Sequence, residues 1–179
     1  MKTTEKVFSG GLGSNIDVDT ANWMKAAPNW LIKTNSYKPR SFYLIGSLRN
    51  PEIPKFANQI VAEGYEVFAD WYNPGPEADQ YHRDYAKARG WSHKQFIEGY
   101  AARNIFDFDK AHMDRCDAAV MLMPAGRSGH LELGYTIGRG KPGFIVFEEI
   151  PERYEIMIQF ATAIFYSRQE FFDYLKENK

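Results

Sequence analysis

The sequence predicts an α/β domain of the flavodoxin/Rossmann-like kind, a three-layer fold in which a parallel sheet has helices on both faces. From residue 41 onward, short apolar runs alternate with longer segments of helical periodicity, a pattern typical of parallel sheets. The chain has 179 residues, of which 44% are hydrophobic and 25% charged, so it is long enough to bury the core of one such domain.

The elements are predicted in order from apolar runs, periodicity and turn residues. Strands are predicted at 41–46, 65–70, 117–123, 143–147 and 163–166. Helices are predicted at 51–64, 92–116, 130–140 and 168–179, and Ser92 is a candidate N-cap. Residues 71–91 are rich in Pro, Gly, Asp and aromatic residues and are interpreted as a long loop. Residues 1–38 show no sustained period, so we expect an irregular arm followed by a domain at 39–179.

Parallel sheets bind ligands outside the carboxyl ends of their strands, which directs attention to two turns. In the second of them, Pro124 to Gly129, glycine and serine leave backbone N–H groups free at a helix start, where an anion can bind. Arg127 adds a guanidinium suited to phosphate, and His130 is a candidate wall of the same pocket.

Glu132 follows this turn by about one helical turn, where the helix dipole favours an ionised carboxylate. Such a carboxylate would face a sugar whose phosphate is held by the turn. The alternative is a glutamate that caps Ser128, although the spacing of four residues fits a capping box poorly.

The first turn, after the strand at 41–46, contains Gly46, Ser47 and Arg49 and is a candidate second phosphate-binding turn. It is equally compatible with an ordinary strand-to-helix turn that carries a solvated arginine. Asp70 ends the predicted second strand and Trp71 follows it, and both are candidate substrate-binding residues. Trp71 belongs to an aromatic group that either stacks a base or packs on itself, formed with Tyr72, Tyr81, Tyr85 and Trp91.

Two aspartates and one tyrosine remain open from the residues alone. Asp109, near the end of a predicted helix, is either a solvated charge or a proton donor to a nucleobase. Asp117 precedes the third strand and is interpreted as structural. Tyr43 lies inside the first strand and is either a core residue or a group that orients a carboxylate.

Composition argues against several classes of protein. A net charge of −1 supplies no basic field for a long nucleic acid. The histidines show no metal-ligand spacing, so we expect neither a metal nor another cofactor. Cys116 is the one cysteine and is predicted to be buried at a helix end, in a reducing compartment. The first residues lack a signal-peptide pattern and no apolar run suits a membrane, which predicts a soluble cytoplasmic protein.

Three segments, taken together and in this order, resemble the nucleoside 2-deoxyribosyltransferase-like family, which includes the 2′-deoxynucleoside 5′-monophosphate N-glycosidases. They are FYLIGSLR, FDFDKAHMDRCDAAVMLM and AGRSGHLELGYTIGRGKP, and the resemblance as a whole covers residues 41 to about 147. The resemblance implies that Glu132 is the catalytic glutamate and that Asp109 contacts or protonates the base. It also implies that Tyr43 orients Glu132, and that Ser47 and Arg49 surround a 5′-phosphate.

Two departures from the family pattern concern the phosphate. The deoxyribosyltransferases carry an acidic pair six and five residues before the glutamate, where this chain has Gly126 and Arg127. A loop that holds Arg127 and Ser128 suits a phosphate better than an uncharged 5′-hydroxyl. Asn50 and Pro51 stand where the glycosidases often have two glycines after the arginine, which leaves the shape of that turn open.

The implied activity is cleavage of the N-glycosidic bond of a nucleoside or its 5′-monophosphate, with the base released or exchanged. The alternatives are a transferase acting on unphosphorylated nucleosides, cleavage of another glycosidic bond such as that of a ribonucleotide or dinucleotide, and a non-catalytic nucleotide-sensing domain. The resemblance also implies that the protein forms a homodimer or a larger homo-oligomer. It implies that the ligand is a small-molecule nucleoside or nucleotide.

Overall fold

Five strands form one parallel sheet within residues 38–178, the part of the chain that the computed structural model describes. The strands are β1 (Ser41–Ile45), β2 (Glu66–Phe68), β3 (Ala118–Leu122), β4 (Gly143–Val146) and β5 (Ala163–Phe165). Their order is β2-β1-β3-β4-β5, and every neighbouring pair is parallel. This is the flavodoxin-like strand order, so the predicted fold class is confirmed. The predicted arm lies outside the described residues, apart from Lys38.

Helices cover both faces of the sheet, which produces three layers. Within the described residues they are α1 (Ile53–Ala62), α2 (Ala78–Ala88), α3 (His93–Ile97), α4 (Tyr100–Arg115), α5 (Arg127–Gly138) and α6 (Arg168–Glu177). Short 3-10 segments follow β2 and precede β5, at Asp70–Tyr72 and Ile156–Phe160. No helix among residues 38–178 combines the length and apolarity needed to cross a membrane.

The side chains of β1 alternate between two separate cores. Phe42 and Leu44 pack with residues of α1 and α6 on one face. Tyr43 and Ile45 pack on the other face with residues of α4 and α5. Successive strand residues point to opposite faces, so every residue of a central strand is buried in a fold of this kind. Tyr43 therefore shares its face of the sheet with the helices that carry Asp109 and Glu132.

The prediction of a long loop at 71–91 was wrong, because α2 lies inside it. Only Ala78 and Ala86 of this helix are buried, and its other residues are polar, charged or aromatic apart from the exposed Ala88. Small alanines in place of large apolar residues give a weak periodic signal. The spacing of Ala78, His82, Tyr85 and Ala86 is nevertheless helical and is the signal that could have identified α2.

The helix predicted at 92–116 is divided at Gly99 into α3 and α4. The backbone of Gly99 is extended, and a Cβ there would lie 3.1 Å from the carbonyl oxygens of Gln95 and Phe96. A glycine fits this sharp junction, where any other residue would crowd the end of α3. The predicted N-cap at Ser92 is confirmed, since its side chain and that of Gln95 form a reciprocal capping box.

Two further predictions for this region are confirmed. The carboxylate of Asp117 accepts hydrogen bonds from the backbone N–H groups of Arg40 and Ser41, at 2.8 and 3.1 Å. Asp117 therefore holds the start of β1 against the start of β3, which is a structural role. Cys116 ends α4 and is 1% exposed, and this burial raises the pKa of its thiol.

Candidate active site

A cleft of about 1260 Å³ opens at the carboxyl ends of β1 and β3. The chain passes from β1 to β2 on one side of β1 and then returns to place β3, β4 and β5 on its other side. The order of the strands therefore reverses between β1 and β3. Ligands of open α/β sheets bind at this reversal. The cleft is large enough for a nucleotide-sized ligand.

Most of the residues predicted for the site line this one cleft. They come from the end of β1 and its turn, from the 3-10 segment after β2, from α4 and from the first turns of α5. Those lining residues are Tyr43, Gly46, Ser47, Arg49, Asp70, Trp71, Asp109, Ser128, Gly129 and Glu132. The parallel sheet thus brings together side chains that are up to about ninety positions apart in the sequence.

Glu132 is the sixth residue of α5 and faces the cleft from a partly buried position. Burial and, as the smaller cause, the negative charge of Asp109 together raise the pKa of its carboxyl to about 7. The sequence had suggested that the helix dipole would favour the ionised form. However, α5 begins at Arg127, three residues before the predicted start, and the dipole loses most of its effect beyond the first turn.

Asp109 reaches the same cleft from α4. It belongs to a stripe of residues spaced by three or four positions that all line the cleft, namely Ala101, Asn104, Ile105, Phe108 and Asp109. Burial raises the pKa of Asp109, and the nearby His112 opposes this change. A carboxyl group that holds its proton more tightly than usual is suited to donate it to a leaving group.

Tyr43 forms the floor of the cleft on β1 and is 1% exposed. Its ring stacks on Phe68 of β2 with centroids 5.4 Å apart. Burial raises the pKa of its hydroxyl, and the charges of Glu132 and Asp109 raise it further. The phenol therefore stays protonated over the working pH range and can donate a hydrogen bond to a carboxylate.

The turn after β1 forms one end of the cleft. The backbone N–H of Arg49 donates to Ser47 Oγ at 3.2 Å, and that of Asn50 donates to the Ser47 carbonyl at 2.9 Å. Asn50 Oδ1 accepts from the backbone N–H of Glu52, so Asn50 shapes the turn where the resembled family often has glycine. A Cβ at Gly46 would lie 2.2 Å from Ile53 Cδ1, so a larger residue at this position would force the end of the Ile53 side chain to move.

The start of α5 forms the facing wall of this end. Gly126 is the N-cap residue and has no side chain to occupy the free backbone N–H groups of the first turn. Ser128 and Gly129 line the cleft there. A Cβ on Gly129 would lie 2.8 Å from Ile45 Cγ2, so glycine allows the helix to approach β1 closely. The arrangement suits a phosphate or carboxylate.

Arg127 and His130 do not line this cleft. Both face a second depression, bounded by the segment that precedes β5. The Nδ1 atom of His130 lies 2.9 Å from the Gly126 carbonyl oxygen, and its Nε2 atom lies 3.9 Å from a carboxylate oxygen of Glu155. Because α5 begins at Arg127, Ser128 and Glu132 share the cleft face of the helix, while Arg127 and His130 occupy another face.

Among the aromatic residues considered for base stacking, Trp71 lines the cleft. Its Nε1–H donates to the carbonyl of Leu44 at 2.6 Å, which holds the indole beside β1. Tyr85 and Trp91 instead pack edge to face with ring centroids 5.7 Å apart, and Arg89 lies over Trp91. Tyr72 packs against the core on the α1 face of the sheet.

Sequence reasoning missed several lining residues, chiefly because α2 had been interpreted as a loop. The missed polar residues are Asn73, Asp79, His82 and Asn104. Asp79 lies in the first turn of α2, with its carboxylate 3.8 Å from Arg49 Nη2. The helical spacing of Asn104 and Asp109 with their apolar neighbours was visible in the sequence and could have placed them on one wall. Within residues 38–178, no three metal-ligating side chains are grouped to hold an ion.

Comparisons with known proteins concern the fold. No protein-family model and no curated protein sequence matches this chain. The 2-deoxyribosyltransferase from the psychrotolerant bacterium Bacillus psychrosaccharolyticus aligns with a TM-score of 0.51 and 21% identity, covering 75% of this chain and 95% of that chain. The CMP N-glycosidase BcmB of Clostridium botulinum aligns with a TM-score of 0.43 and 13% identity, over 76% and 96% of the two chains. By its strand order and its alignment with the first of these enzymes, the described domain has the fold of the nucleoside 2-deoxyribosyltransferase-like family.

Proposed function

We propose that the protein cleaves the N-glycosidic bond of a (deoxy)nucleoside 5′-monophosphate, with Glu132 as the nucleophile. One observation carries the proposal: the carboxyl groups of Glu132 and Asp109 face the same cleft and are close enough for the charge of one to raise the pKa of the other. Glycoside cleavage by a pair of carboxyl groups requires such an arrangement. The fold shared with a 2-deoxyribosyltransferase supports the same chemistry by analogy.

The cleft has two chemically different ends, which orient a nucleotide. The end formed by Ser47, Arg49 and Ser128 offers hydroxyl, guanidinium and helix N–H groups to the 5′-phosphate. The wall formed by α4 offers apolar side chains at Ile105 and Phe108 to the flat face of a base. A nucleotide placed in this direction has its sugar between the two ends, beside Glu132.

The first chemical step transfers the sugar from the base to Glu132. A carboxylate oxygen of Glu132 forms a bond to C1′ as the bond from C1′ to the base nitrogen breaks. In the reactive state Glu132 is ionised and Asp109 holds the single proton of the coupled pair, and this proton moves to the departing base, directly or through one water molecule. The positive charge that develops at C1′ favours the ionised form of Glu132, and the phenol of Tyr43 is the hydrogen-bond donor that would position this carboxylate.

The second step releases the sugar phosphate. Water attacks C1′ and its proton passes to the carboxylate of Asp109, while the ester bond to Glu132 breaks. Both carboxyl groups return to their starting states, so the balance is hydrolysis of one nucleotide to a free base and a sugar phosphate. When a second base attacks C1′ in place of water, the same intermediate gives base exchange, which is the transferase alternative.

The test is to incubate the protein with a panel of deoxynucleosides, ribonucleosides and their monophosphates and to measure free base by chromatography. We expect release from at least one monophosphate, faster than from the matching nucleoside. Glu132→Gln should lose at least about a thousandfold in turnover, because glutamine cannot form the ester. Glu177→Gln, which changes an exposed glutamate on α6, is the matched control and should leave turnover unchanged.

The outcomes separate the alternatives. Near-normal turnover by Glu132→Gln would remove the assignment of the nucleophile. Formation of a new nucleoside after addition of a second free base would identify a transferase. Thermal stabilisation by a nucleotide without any turnover would indicate a binding domain instead.

A further inference from the structure

An ion pair crosses the end of the cleft that we assign to the phosphate. Arg49 follows β1 and Asp79 lies in the first turn of α2, and both side chains line the cleft. Their closest charged atoms, Arg49 Nη2 and Asp79 Oδ2, are 3.8 Å apart. The cation offered to a phosphate therefore already has an anionic neighbour in the same cleft.

This pair is loose in both distance and environment. A separation of 3.8 Å exceeds a hydrogen bond, and the side chains of Arg49 and Asp79 are 69% and 64% exposed. Exposed pairs of this kind contribute little to stability, since water screens them and two long side chains lose freedom when they are held together. A phosphate oxygen that binds the guanidinium with direct charge-assisted hydrogen bonds makes a stronger contact than Asp79 does.

We propose that Asp79 is a competing anion for Arg49, so that a phosphate must displace its carboxylate in order to bind. The inference rests on the proposed function for the position of the substrate phosphate. A second acidic residue, Asp70, also lines the cleft and adds to the negative charge that an incoming phosphate meets. Asp79 thereby weakens the binding of every 5′-phosphorylated ligand and leaves the binding of a neutral nucleoside unaffected.

The alternative role for Asp79 is to hold Arg49 in its binding position. Such a role needs a short, directional contact, typically two parallel hydrogen bonds between guanidinium and carboxylate. The pair has one contact at 3.8 Å between two exposed groups, and a single contact of this length cannot fix the direction of the guanidinium. The two roles predict opposite effects when Asp79 loses its charge, so one substitution distinguishes them.

The experiment compares Asp79→Asn with wild type by calorimetric titration with inorganic phosphate. We expect Asp79→Asn to bind phosphate about five- to tenfold more tightly at low ionic strength, because one like charge and one competitor are removed. The gain should shrink in about 0.5 M NaCl, where the charges are screened. Asp84→Asn, on the same helix but not lining the cleft, is the matched control and should bind phosphate as wild type does.

Unchanged or weaker phosphate binding by Asp79→Asn would overturn the proposal, and weaker binding would identify Asp79 as the residue that positions Arg49. Arg49→Ala should bind phosphate at least about tenfold more weakly than wild type, and unaffected binding would also overturn it. Phosphate binding is measured without turnover. If wild type released no base from any substrate while Asp79→Asn bound phosphate more tightly, the proposed function would fail and the competition would stand.

In the active enzyme the same variant gives a second measurement. Asp79→Asn should lower KM for the 5′-monophosphate by a similar factor and change KM for the matching nucleoside by less than about twofold. An equal decrease in both KM values would show that Asp79 acts on the sugar or the base, which would contradict the proposal.

Discussion

Replacing Glu132 with glutamine should stabilise the folded protein at alkaline pH and leave its stability unchanged at acidic pH. Burial and the charge of Asp109 raise the pKa of the folded carboxyl to about 7, against an ordinary value of 4.5. At 1.36 kcal/mol for each tenfold change in proton affinity, this difference corresponds to about 3 kcal/mol. Glutamine has nearly the same shape and no charge to desolvate, so the variant avoids this cost.

The direction follows from where the folded and unfolded chains lose the proton of Glu132. Below about pH 4.5 the carboxyl is protonated in both states, and wild type has its full stability with respect to this group. As the pH rises from about 4.5 to 7, the unfolded chain releases the proton while the folded protein keeps it, so wild type loses stability. Above about pH 7 the loss is complete and constant.

Urea unfolding followed by tryptophan fluorescence measures this difference at about pH 4 and pH 8. We expect the free energies of unfolding of Glu132→Gln and wild type to agree at the lower pH and to differ by up to about 3 kcal/mol at the higher. Glu177→Gln should match wild type at both. A wild type more stable than Glu132→Gln at pH 8 would refute the reasoning, because it would show a carboxylate that gains more from its partners than it loses by burial.

Three further predictions concern the pH profile, the packing of α5 and the end of α4. If Glu132 reacts as a carboxylate, kcat/KM should rise about tenfold between pH 6 and 8, measured with a substrate whose p-nitrophenyl leaving group needs no protonation. Asp109→Asn should move this rise to lower pH, because the negative charge of Asp109 raises the pKa of Glu132. An unmoved pH profile would contradict this interaction between the two carboxyl groups. Gly129→Ala should destabilise the fold by about 1–3 kcal/mol in urea unfolding, because the new methyl group would lie 2.8 Å from Ile45 Cγ2. Lys141→Met should lose about 1–3 kcal/mol and reduce the amide protection of the last turn of α4 in hydrogen exchange, since its ammonium group accounts for three hydrogen bonds to carbonyl oxygens there.

The strands, and the edge of the sheet at which the site lies, could be predicted because buried strands appear in the sequence as short continuous apolar runs. The apolar runs that contain Tyr43 and Val120 admit few alternatives to buried strands, and parallel strands bring their carboxyl ends to one edge. Glu132 was expected at this edge on these grounds, whereas the place of Asp109 beside the base was implied by the family resemblance; the cleft contains both residues. Their chemical roles, a homo-oligomeric state and a cytoplasmic location stay predictions.

The predictions for residues 71–91 and for the faces of α5 were wrong because the pattern of residue types does not fix where these helices begin. Helix α2 buries little besides alanines, so its segment has the composition of a loop. The positions of Arg127 and His130 depend on where α5 begins. Because residues 127–129 are helical and not part of the turn, Arg127 and His130 share one face of the helix, while Ser128 and Glu132 share another. The Arg49–Asp79 pair depends in turn on α2, so it could not be predicted once that helix was missed.

The place of β1 between β2 and β3 has a consequence for when the walls of the cleft come together during folding. No fragment shorter than the span from residue 43 to residue 132 contains both Tyr43 and Glu132, which come together only when β1 has paired with β3, a strand made much later in synthesis. Contacts so distant along the chain form late, after long loops have closed. If the protein has the proposed activity, the recovery of turnover after dilution from denaturant should therefore follow completion of the sheet and lag behind the return of helical circular dichroism.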